Sequence, residues 1–305
     1  MTAATQPSTA HTTNAMPFAT ACVGIASFSV MDVVMKALSI SIGAYNACLW
    51  RVLAGAVLMG GLFFARRMAW PCPAALKVHV LRGTNAAAMM FLFFWGIAYI
   101  PLAEGIALSF IAPLITLYLA AVLLKEQIGP RAIGATVLGF VGVIIIVLGR
   151  LGGVHGPNST LGVIAILISA VLYAYNLILQ RQQAQIASPI EIGFFNTLVV
   201  LTLFALAAPW WAVVPPLAQA PYILSAAVLA SVSILVLSWA YARAEAKVLV
   251  PVEYTAFIWA AILGYIYFNE PVTLRTLIGA GFIIVGCIVA ALQDAQHQPS
   301  AELGL

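Results

Sequence analysis

Charged residues are scarce in this chain: of its 305 residues, 13 are basic and 9 are acidic, which is 7%. A soluble domain has roughly 25% charged residues on its surface, whereas 64% of this chain is hydrophobic. Each membrane-spanning helix uses about 20 apolar residues, so long apolar runs occupy most of the length. The composition therefore excludes a cytosolic enzyme, a nucleic-acid-binding protein and a membrane anchor with a separate catalytic domain.

Signals for metal, cofactor or polyanion binding are also missing. The four cysteines have no CxxC spacing, so we expect buried thiols and not disulfides or metal ligands. The basic residues form no run, which argues against a polyanion partner. We expect no cofactor and no metal. The histidines are expected in tails or connections and outside the apolar helices: His11, His79, His155 and His297.

Ten apolar windows of 19 to 22 residues appear when the runs are divided at Gly, Pro and charged residues. Membrane-spanning strands would be shorter and would alternate polar with apolar positions. The predicted fold class is therefore an all-α integral membrane protein with ten transmembrane helices. The windows are residues 18–37, 44–65, 81–100, 104–124, 131–149, 161–180, 191–210, 221–242, 248–268 and 273–292.

The distribution of Lys and Arg predicts the orientation. Ten crossings place both termini on one side, and positive residues favour the cytoplasmic side. With cytoplasmic termini, that side holds Arg66, Arg67, Lys77, Arg82, Lys125, Arg131, Arg181, Arg243 and Lys247. The opposite side holds only Lys36, Arg150 and Arg275, with Arg51 embedded in helix 2. We therefore predict a multi-pass membrane protein with both termini in the cytoplasm.

The sequence contains an internal repeat. At an offset of 144, unlike residue types coincide, and an offset of 145 pairs Lys36 with Arg181. Each copy holds five helices, so the second copy must enter the membrane from the opposite side, as in secondary transporters. A duplication kept only for stability is the alternative. The coinciding pairs are Trp95 with Trp239, Glu126 with Glu270, Arg131 with Arg275 and Gly142 with Gly286.

The repeat gives the expected domain organisation. It consists of a disordered cytoplasmic tail (1–17), a first repeat (18–149), a periplasmic connection (150–160), a second repeat (161–292) and a C-terminal tail (293–305). Glycines are expected to allow close helix packing, among them Gly142 and Gly279. Pro113 is expected to bend helix 4. Charged residues near the short turns after helices 4 and 9 are expected to cap helices and tie the turns together: Glu126, Arg131, Glu270 and Arg275.

Short motifs in both halves carry a family resemblance. They include Met31-Asp32 with Lys36-Ala37-Leu38-Ser39, Trp50-Arg51, Pro101-Leu102-Ala103-Glu104, Ala107-Leu108-Ser109-Phe110, Glu253-Tyr254-Thr255, Trp259-Ala260 and Glu270. With these motifs the chain resembles the drug/metabolite transporter superfamily and its ten-helix EamA-type branch. Within that branch it is similar to carriers grouped with S-adenosylmethionine uptake. The resemblance implies a carrier built from two five-helix repeats.

Ionisable groups inside predicted helices are functional candidates, and three of them lie in helices 1 and 2: Asp32, Lys36 and Arg51. Asp32 and Lys36 are one helical turn apart, which predicts an intrahelical ion pair; Lys36 can instead extend to the outer surface. Asp32 is a candidate proton or substrate sensor when that pair opens. Arg51 can either neutralise Asp32 or bind a substrate carboxylate with two hydrogen bonds.

Glu253, in helix 9, is the sharpest single candidate. Offset by 144 it matches Ser109 of helix 4, and it can exchange a proton or hold a cationic substrate group. A structural, hydrogen-bonded carboxyl is the alternative. Aromatic and amide residues at similar depths would suit an amphipathic metabolite, although each can equally pack or face the interface: Asn85, Trp95, Tyr99, Tyr175, Asn196, Trp239, Tyr254 and Trp259.

These features and the resemblance predict a secondary carrier that moves a small polar or amphipathic metabolite across the bacterial inner membrane by alternating access, either with or without proton coupling. The expected partners are a small-molecule substrate and the lipid bilayer, without nucleic acid, and a monomer is plausible. No nucleotide-binding Walker A signature occurs. The alternative is an intramembrane enzyme acting on a lipid-linked substrate, for which neither an HExxH nor a GxSxG motif is found.

Overall fold

The computed structural model describes residues 15–124, 130–151, 158–241, 243, 249 and 252–297. In a bilayer each spanning segment must satisfy its own backbone hydrogen bonds, which helices do internally. The helices are α1 (Ala15–Ile42), α2 (Ala44–Ala65), α3 (Pro73–Ile97), α4 (Leu102–Ser109), α5 (Ala112–Leu124), α6 (Pro130–Leu151), α7 (Ser159–Ala184), α8 (Pro189–Trp211), α9 (Ala220–Tyr241), α10 (Thr255–Phe268) and α11 (Leu274–His297), with a short 3₁₀ turn at Leu217–Gln219.

These helices account for the ten predicted crossings. Within the described residues, seven segments are long and apolar enough to span a membrane, and α4 and α5 together form one of them. Shorter apolar helices at Ile133–Gly149, Thr255–Phe268 and Leu274–Val289 supply the other three. The predicted all-helical, ten-span fold class is confirmed. Several helices extend beyond their predicted windows, because helical backbone continues through charged residues at the membrane ends.

The contact between α6 and α11 shows that the two repeats are inverted. These helices are counterparts, since the offset of 144 matches Gly142 with Gly286. They pack antiparallel: Gly142 of α6 faces Gly279 of α11, while Gly286 faces Ala135. Equivalent helices of the two halves therefore run in opposite directions.

The helix contacts are the same when the halves are exchanged. By the offset of 144, the counterparts of α1, α3 and α5 are α7, α9 and α10. In the structure α1 packs on α9 just as α7 packs on α3, and α1 packs on α10 just as α7 packs on α5. Two further large contacts join counterparts directly, α2 with α8 and α6 with α11. Since these contacts cross between the halves, the main interface of the molecule lies between the two repeats.

Helix 4 is interrupted, which confirms the bend predicted at Pro113. Between α4 and α5 the chain makes a turn at Phe110 and Ile111, because Pro113 has no N–H to donate to the carbonyl of Ser109. The second half turns at Tyr254, just before α10, which is the position matching Phe110 at the same offset. The two rings meet edge to face, with centroids 5.3 Å apart, so the two helix breaks touch at the interface of the halves.

Opposite ends of the bundle carry different polar clusters. The turns at Gly43, at 98–101 and at 269–273 lie at one end, which we call the Lys36 end. The turns at 66–72 and 185–188 lie at the other, which we call the His79 end.

Candidate functional site

Two ionisable side chains, Asp32 and Arg51, lie near each other between α1 and α2. Asp32 on α1 is 5% exposed, and Arg51 on α2 interacts electrostatically with it and with the Cys48 thiol. The Arg51 guanidinium also contacts the Met90 sulfur and lies 5.8 Å from the centre of the Phe94 ring, both on α3. Three helices of the first half thus hold one charged centre inside the bundle.

This centre is incompletely satisfied. Among the described residues, the buried Oδ1 of Asp32 and the buried Nε of Arg51 have no hydrogen-bond partner. Buried polar atoms are almost always paired, because an unpaired one keeps its full desolvation cost. Asp32 therefore has an unused hydrogen-bond acceptor and Arg51 an unused donor.

Three more buried polar atoms also lack a partner within the described chain. They are Ser39 Oγ on α1, Asn196 Oδ1 on α8 and Ser233 Oγ on α9. Ser233 is completely buried. Helices from both halves thus present unused hydrogen-bonding groups to the interior, which is unusual for a bundle whose only role is to pack.

Lys36 forms a different ion pair from the predicted one. Lys36 is 1% exposed. Its ammonium pairs with the Glu270 carboxylate between α10 and α11 and donates to the Ile100 carbonyl at 2.8 Å. The expected pair with Asp32 is therefore wrong. Glu270 comes from the distant second repeat, which a spacing rule within one helix cannot detect.

Glu270 also acts as a cap, as predicted for the turn residues. Its second carboxylate oxygen accepts a hydrogen bond from the Leu102 amide at 2.8 Å, at the start of α4. A carboxylate there satisfies one of the free N–H groups of the helix terminus. Glu126 lies outside the described residues, as does the side chain of Arg131.

A pocket of about 210 Å³ opens beside this ion pair at the Lys36 end. Its walls come from α4, α6, α10 and α11, so both halves contribute. Glu104, which is buried, and Glu270 give it an acidic lining. Further lining residues are Gly149, Gly264, Thr273 and Thr276.

At the opposite end, His79 contradicts the expectation that histidines lie outside the helices. It is inside α3, completely buried and stacked on Phe195 at 5.1 Å. Its Nε2 lies 3.1 Å from Glu191 Oε1 of α8, and its Nδ1 contacts the Gln183 amide of α7. The helix starts at Pro73, and proline is favoured in the first turn. The predicted window began only at residue 81 and therefore left His79 outside the helix.

The other predicted residues are distributed along the bundle. Asn85 donates to the Leu172 carbonyl at 2.8 Å, and Ser109 donates to the Gly105 carbonyl at 2.9 Å. Trp95 and Tyr99 contact each other, and Trp239 packs under Arg243.

Glu253 is exposed and interacts electrostatically with Tyr173. Tyr175 is half-buried, Tyr254 is buried against Phe110, and Trp259 is exposed.

Several residues that contact Arg51 or His79 were not predicted from the sequence: Cys48, Met90, Phe94, Glu191 and Gln183. Spacing along a helix could suggest Cys48, which lies near Arg51 on α2. The others come from different helices, so no local pattern indicates them. In the part of the chain that the structure describes, no three His, Cys, Asp or Glu side chains are grouped to hold a metal ion.

Comparison with known proteins agrees with this architecture. A pseudopaline exporter of Pseudomonas aeruginosa (strain UCBPP-PA14) is 28% identical over 270 residues, which cover 86% of this chain and 91% of that protein. An S-adenosylmethionine uptake transporter of Rickettsia bellii is 27% identical over 207 residues, covering 68% and 69%. A crystal structure that is 18% identical shares the fold, with a TM-score of 0.61 over 93% of this chain and 99% of that one.

The profile of the EamA-like transporter family matches the chain twice, at residues 16–148 and 160–292. The two matches occupy the two inverted halves described above. Together they cover most of the sequence. The chain is therefore a multi-pass membrane protein that belongs to the EamA-like transporter family.

Proposed function

We propose that this protein is a secondary transporter that moves a small zwitterionic metabolite related to amino acids across the bacterial inner membrane by alternating access. The observation that carries the proposal is that the buried Oδ1 of Asp32 and the buried Nε of Arg51 have no hydrogen-bond partner among the described residues. A substrate carboxylate would bind Arg51, and a substrate ammonium would bind Asp32. Free ligand groups would then satisfy the atoms that the protein leaves unpaired.

The named relatives support this substrate class. One is named for S-adenosylmethionine uptake, and that metabolite carries an α-ammonium and an α-carboxylate group. Another is named for pseudopaline export, so relatives of both transport directions exist and the proposal covers import and export alike. Aromatic rings beside Arg51, such as Phe94, would contact the apolar part of the substrate.

Alternating access is supported by polar contacts that join the two halves at both ends. At the Lys36 end, Glu270 of the second half holds Lys36 and Leu102 of the first. At the His79 end, Glu191 of the second half holds His79 of the first. Opening either end requires breaking its own set of contacts while the other set remains. With cytoplasmic termini, the Lys36 end would face the periplasm.

Proton coupling would add a second role to this scheme. Glu253, next to the helix break at Tyr254, is the candidate for carrying the proton. Ser109, its counterpart in the first half, lies beside the other break at Phe110. Interrupted helices at the interface of inverted repeats commonly hold substrate or coupling ions, which supports this placement.

The test begins with a thermal-shift screen of the purified protein against S-adenosylmethionine, amino acids, riboflavin and small carboxylates. Any stabilising compound is then used in counterflow with proteoliposomes. We expect compounds with an α-amino-acid group to be transported. Arg51→Met should reduce their transport by about 10-fold or more, since a charge-assisted hydrogen bond contributes about 1.5–3 kcal/mol.

The matched control is Arg66→Met, because Arg66 is exposed in the turn after α2. This variant should transport like the wild type. Arg51→Lys should retain part of the activity, since it keeps the charge but loses the planar fork. Full transport by a folded Arg51→Met protein would remove Arg51 from the binding site.

A further inference from the structure

The connection between α8 and α9 is strongly apolar. No charged residue and no histidine occurs from residue 192 to residue 242, so both helices and their connection are uncharged. We call residues 210–217, with the sequence Trp-Trp-Ala-Val-Val-Pro-Pro-Leu, the apolar loop. Turns in water are built mainly from Gly, Asn, Asp, Ser and Pro, and of these the loop contains only proline. Its composition therefore indicates an apolar environment.

The large side chains of the apolar loop lie on the surface of the bundle. Leu217 is 90% exposed and Val214 is 79% exposed. Trp210, Trp211 and Val213 are exposed as well. A contiguous exposed apolar patch marks a surface that contacts a membrane or another molecule. The apolar loop forms such a patch outside the membrane-spanning helices.

Two side chains of α2 hold the backbone of the loop at Val213. Its N–H donates to Asn46 Oδ1 at 2.8 Å, and its carbonyl accepts a hydrogen bond from Trp50 Nε1 at 3.0 Å. The Asn46 amide nitrogen donates in turn to the Ile42 carbonyl at the end of α1, at 3.1 Å. Since α1 and α2 belong to the first half and the loop to the second, these bonds join the halves at the Lys36 end.

Further backbone groups of the loop need nothing from the solvent. The Ala212 N–H donates to the Ala208 carbonyl at 2.9 Å, and Pro215 and Pro216 have no N–H. A loop in water needs no such arrangement, because solvent can bond to its backbone. Non-helical backbone at membrane depth, by contrast, is tolerated where the protein itself satisfies it. The hydrogen bonding of the loop therefore agrees with its composition.

We propose that the apolar loop is inserted into the bilayer, with its side chains at the boundary between phospholipid headgroups and acyl chains and its backbone held by α2. Apolar side chains bind at that boundary, and Trp is enriched there because its ring is amphipathic. The loop is thus a lipid-binding surface of the second half at the Lys36 end. This inference goes beyond the proposed transport function and does not depend on the identity of a substrate.

The surroundings of the loop favour phospholipid as its partner over a second copy of the chain. The loop continues the surface of the two membrane-spanning helices that it joins, where Leu206 of α8 and Tyr222 and Leu224 of α9 are exposed too. Another turn at the same end, residues 269–273, contains Asn, Glu and Thr, which is the composition of a turn in water. The two connections therefore differ in the environment for which they are suited.

The test measures the depth of a nitroxide label in the full-length protein, reconstituted in lipid nanodiscs with one copy per disc. The label is attached to Val214→Cys in a Cys72→Ser background, because native Cys72 is exposed. Oxygen dissolves among the acyl chains and a nickel chelate stays in water, so their collision rates with the label report its depth. Pro271→Cys is the matched control, since it is exposed in the polar turn at the same end. We expect the ratio of oxygen to nickel collisions at residue 214 to exceed that at residue 271 several-fold.

The other outcomes are separated by a second label position and by the number of copies per disc. Leu217→Cys provides the second position if Val214→Cys does not fold. Equal ratios at the loop and at residue 271 would place the loop in water and overturn the proposal. The ratio should stay the same in discs that hold two copies. A label shielded from oxygen only in those discs would assign the surface to a second copy of the chain and would overturn the proposal as well.

The role of α2 is tested with Trp50→Phe, which removes the indole N–H and keeps an aromatic ring. The Val213 carbonyl then needs a water partner, so the label at residue 214 should move toward water and its collision ratio should fall. Trp259→Phe is the control, because Trp259 is exposed on α10, and it should leave the ratio unchanged. An unchanged ratio in a folded Trp50→Phe protein would overturn the attachment of the inserted loop to α2.

Discussion

Lys36 illustrates how this protein keeps a buried cation in a membrane bundle. Its ammonium is enclosed by the Glu270 carboxylate, the Ile100 carbonyl and the Phe268 ring, whose centroid lies 5.0 Å away. A buried charge is costly, and its partner offsets that cost only while the pair is intact. The pair joins α1 of the first half to the turn before α11 of the second, so it stabilises a contact between the halves.

We predict that Glu270→Gln lowers the free energy of unfolding by about 3–5 kcal/mol, because it removes the carboxylate that pairs with the buried Lys36 ammonium. The glutamine oxygen can still accept from Leu102. Adding Lys36→Met should restore much of the loss, because it removes the buried ammonium whose carboxylate partner has been lost. Chemical unfolding of the purified variants measures both effects. A double variant that is less stable than Glu270→Gln alone would contradict this account.

Close contact of helix backbones organises the molecule at the level of its elements. In α6, a Cβ added to Gly142 would lie 2.4 Å from the Gly279 carbonyl oxygen of α11. In α3, a Cβ on Gly96 would lie 2.8 Å from the Gly162 carbonyl oxygen of α7. Lipid supplies no hydrophobic force between helices, so association depends on such close packing.

We expect Gly142→Ala to separate α6 from α11 and to lower the free energy of unfolding by about 1–3 kcal/mol, the usual cost of overpacking. Gly281→Ala is the matched control. It lies on α11, where an added Cβ meets no atom within 4 Å, so its stability should change by about 0.5 kcal/mol at most. Equal melting temperatures for the two variants would show that the close approach of Gly142 is unimportant.

The whole molecule is two inverted halves with polar contacts between them at both ends. The direction of the bundle in the membrane follows from the Lys and Arg distribution, which predicts that the His79 end is cytoplasmic. Native Cys72 is well placed to test this. It is exposed in the turn between α2 and α3, whereas Cys48 and Cys287 are buried and Cys22 is half-buried.

We predict that a membrane-impermeant maleimide labels Cys72 in inside-out vesicles and not in intact spheroplasts. Cys72→Ser should abolish the labelling. Pro271→Cys in that background places a thiol at an exposed position of the Lys36 end and should be labelled from the outside of spheroplasts. Labelling of Cys72 from the outside would reverse the orientation and exchange the periplasmic and cytoplasmic roles of the two ends.

The sequence alone was sufficient to predict the ten helices, the inverted repeat and the bend at Pro113. These features follow from patterns that are local or strictly periodic: apolar runs long enough to span lipid, a constant offset of 144 residues, and a proline that lacks a backbone donor. It also indicated Asp32, Lys36 and Arg51 as charges inside helices.

Only the tertiary structure decided which polar groups meet. It paired Lys36 with Glu270 and not with Asp32, and it buried His79 between Glu191 and Gln183. In each case the partners are more than 100 positions apart and lie on different helices. Helix spacing specifies which side chains share a face, whereas ion pairs and hydrogen bonds depend on how those faces pack, which is set by the whole bundle.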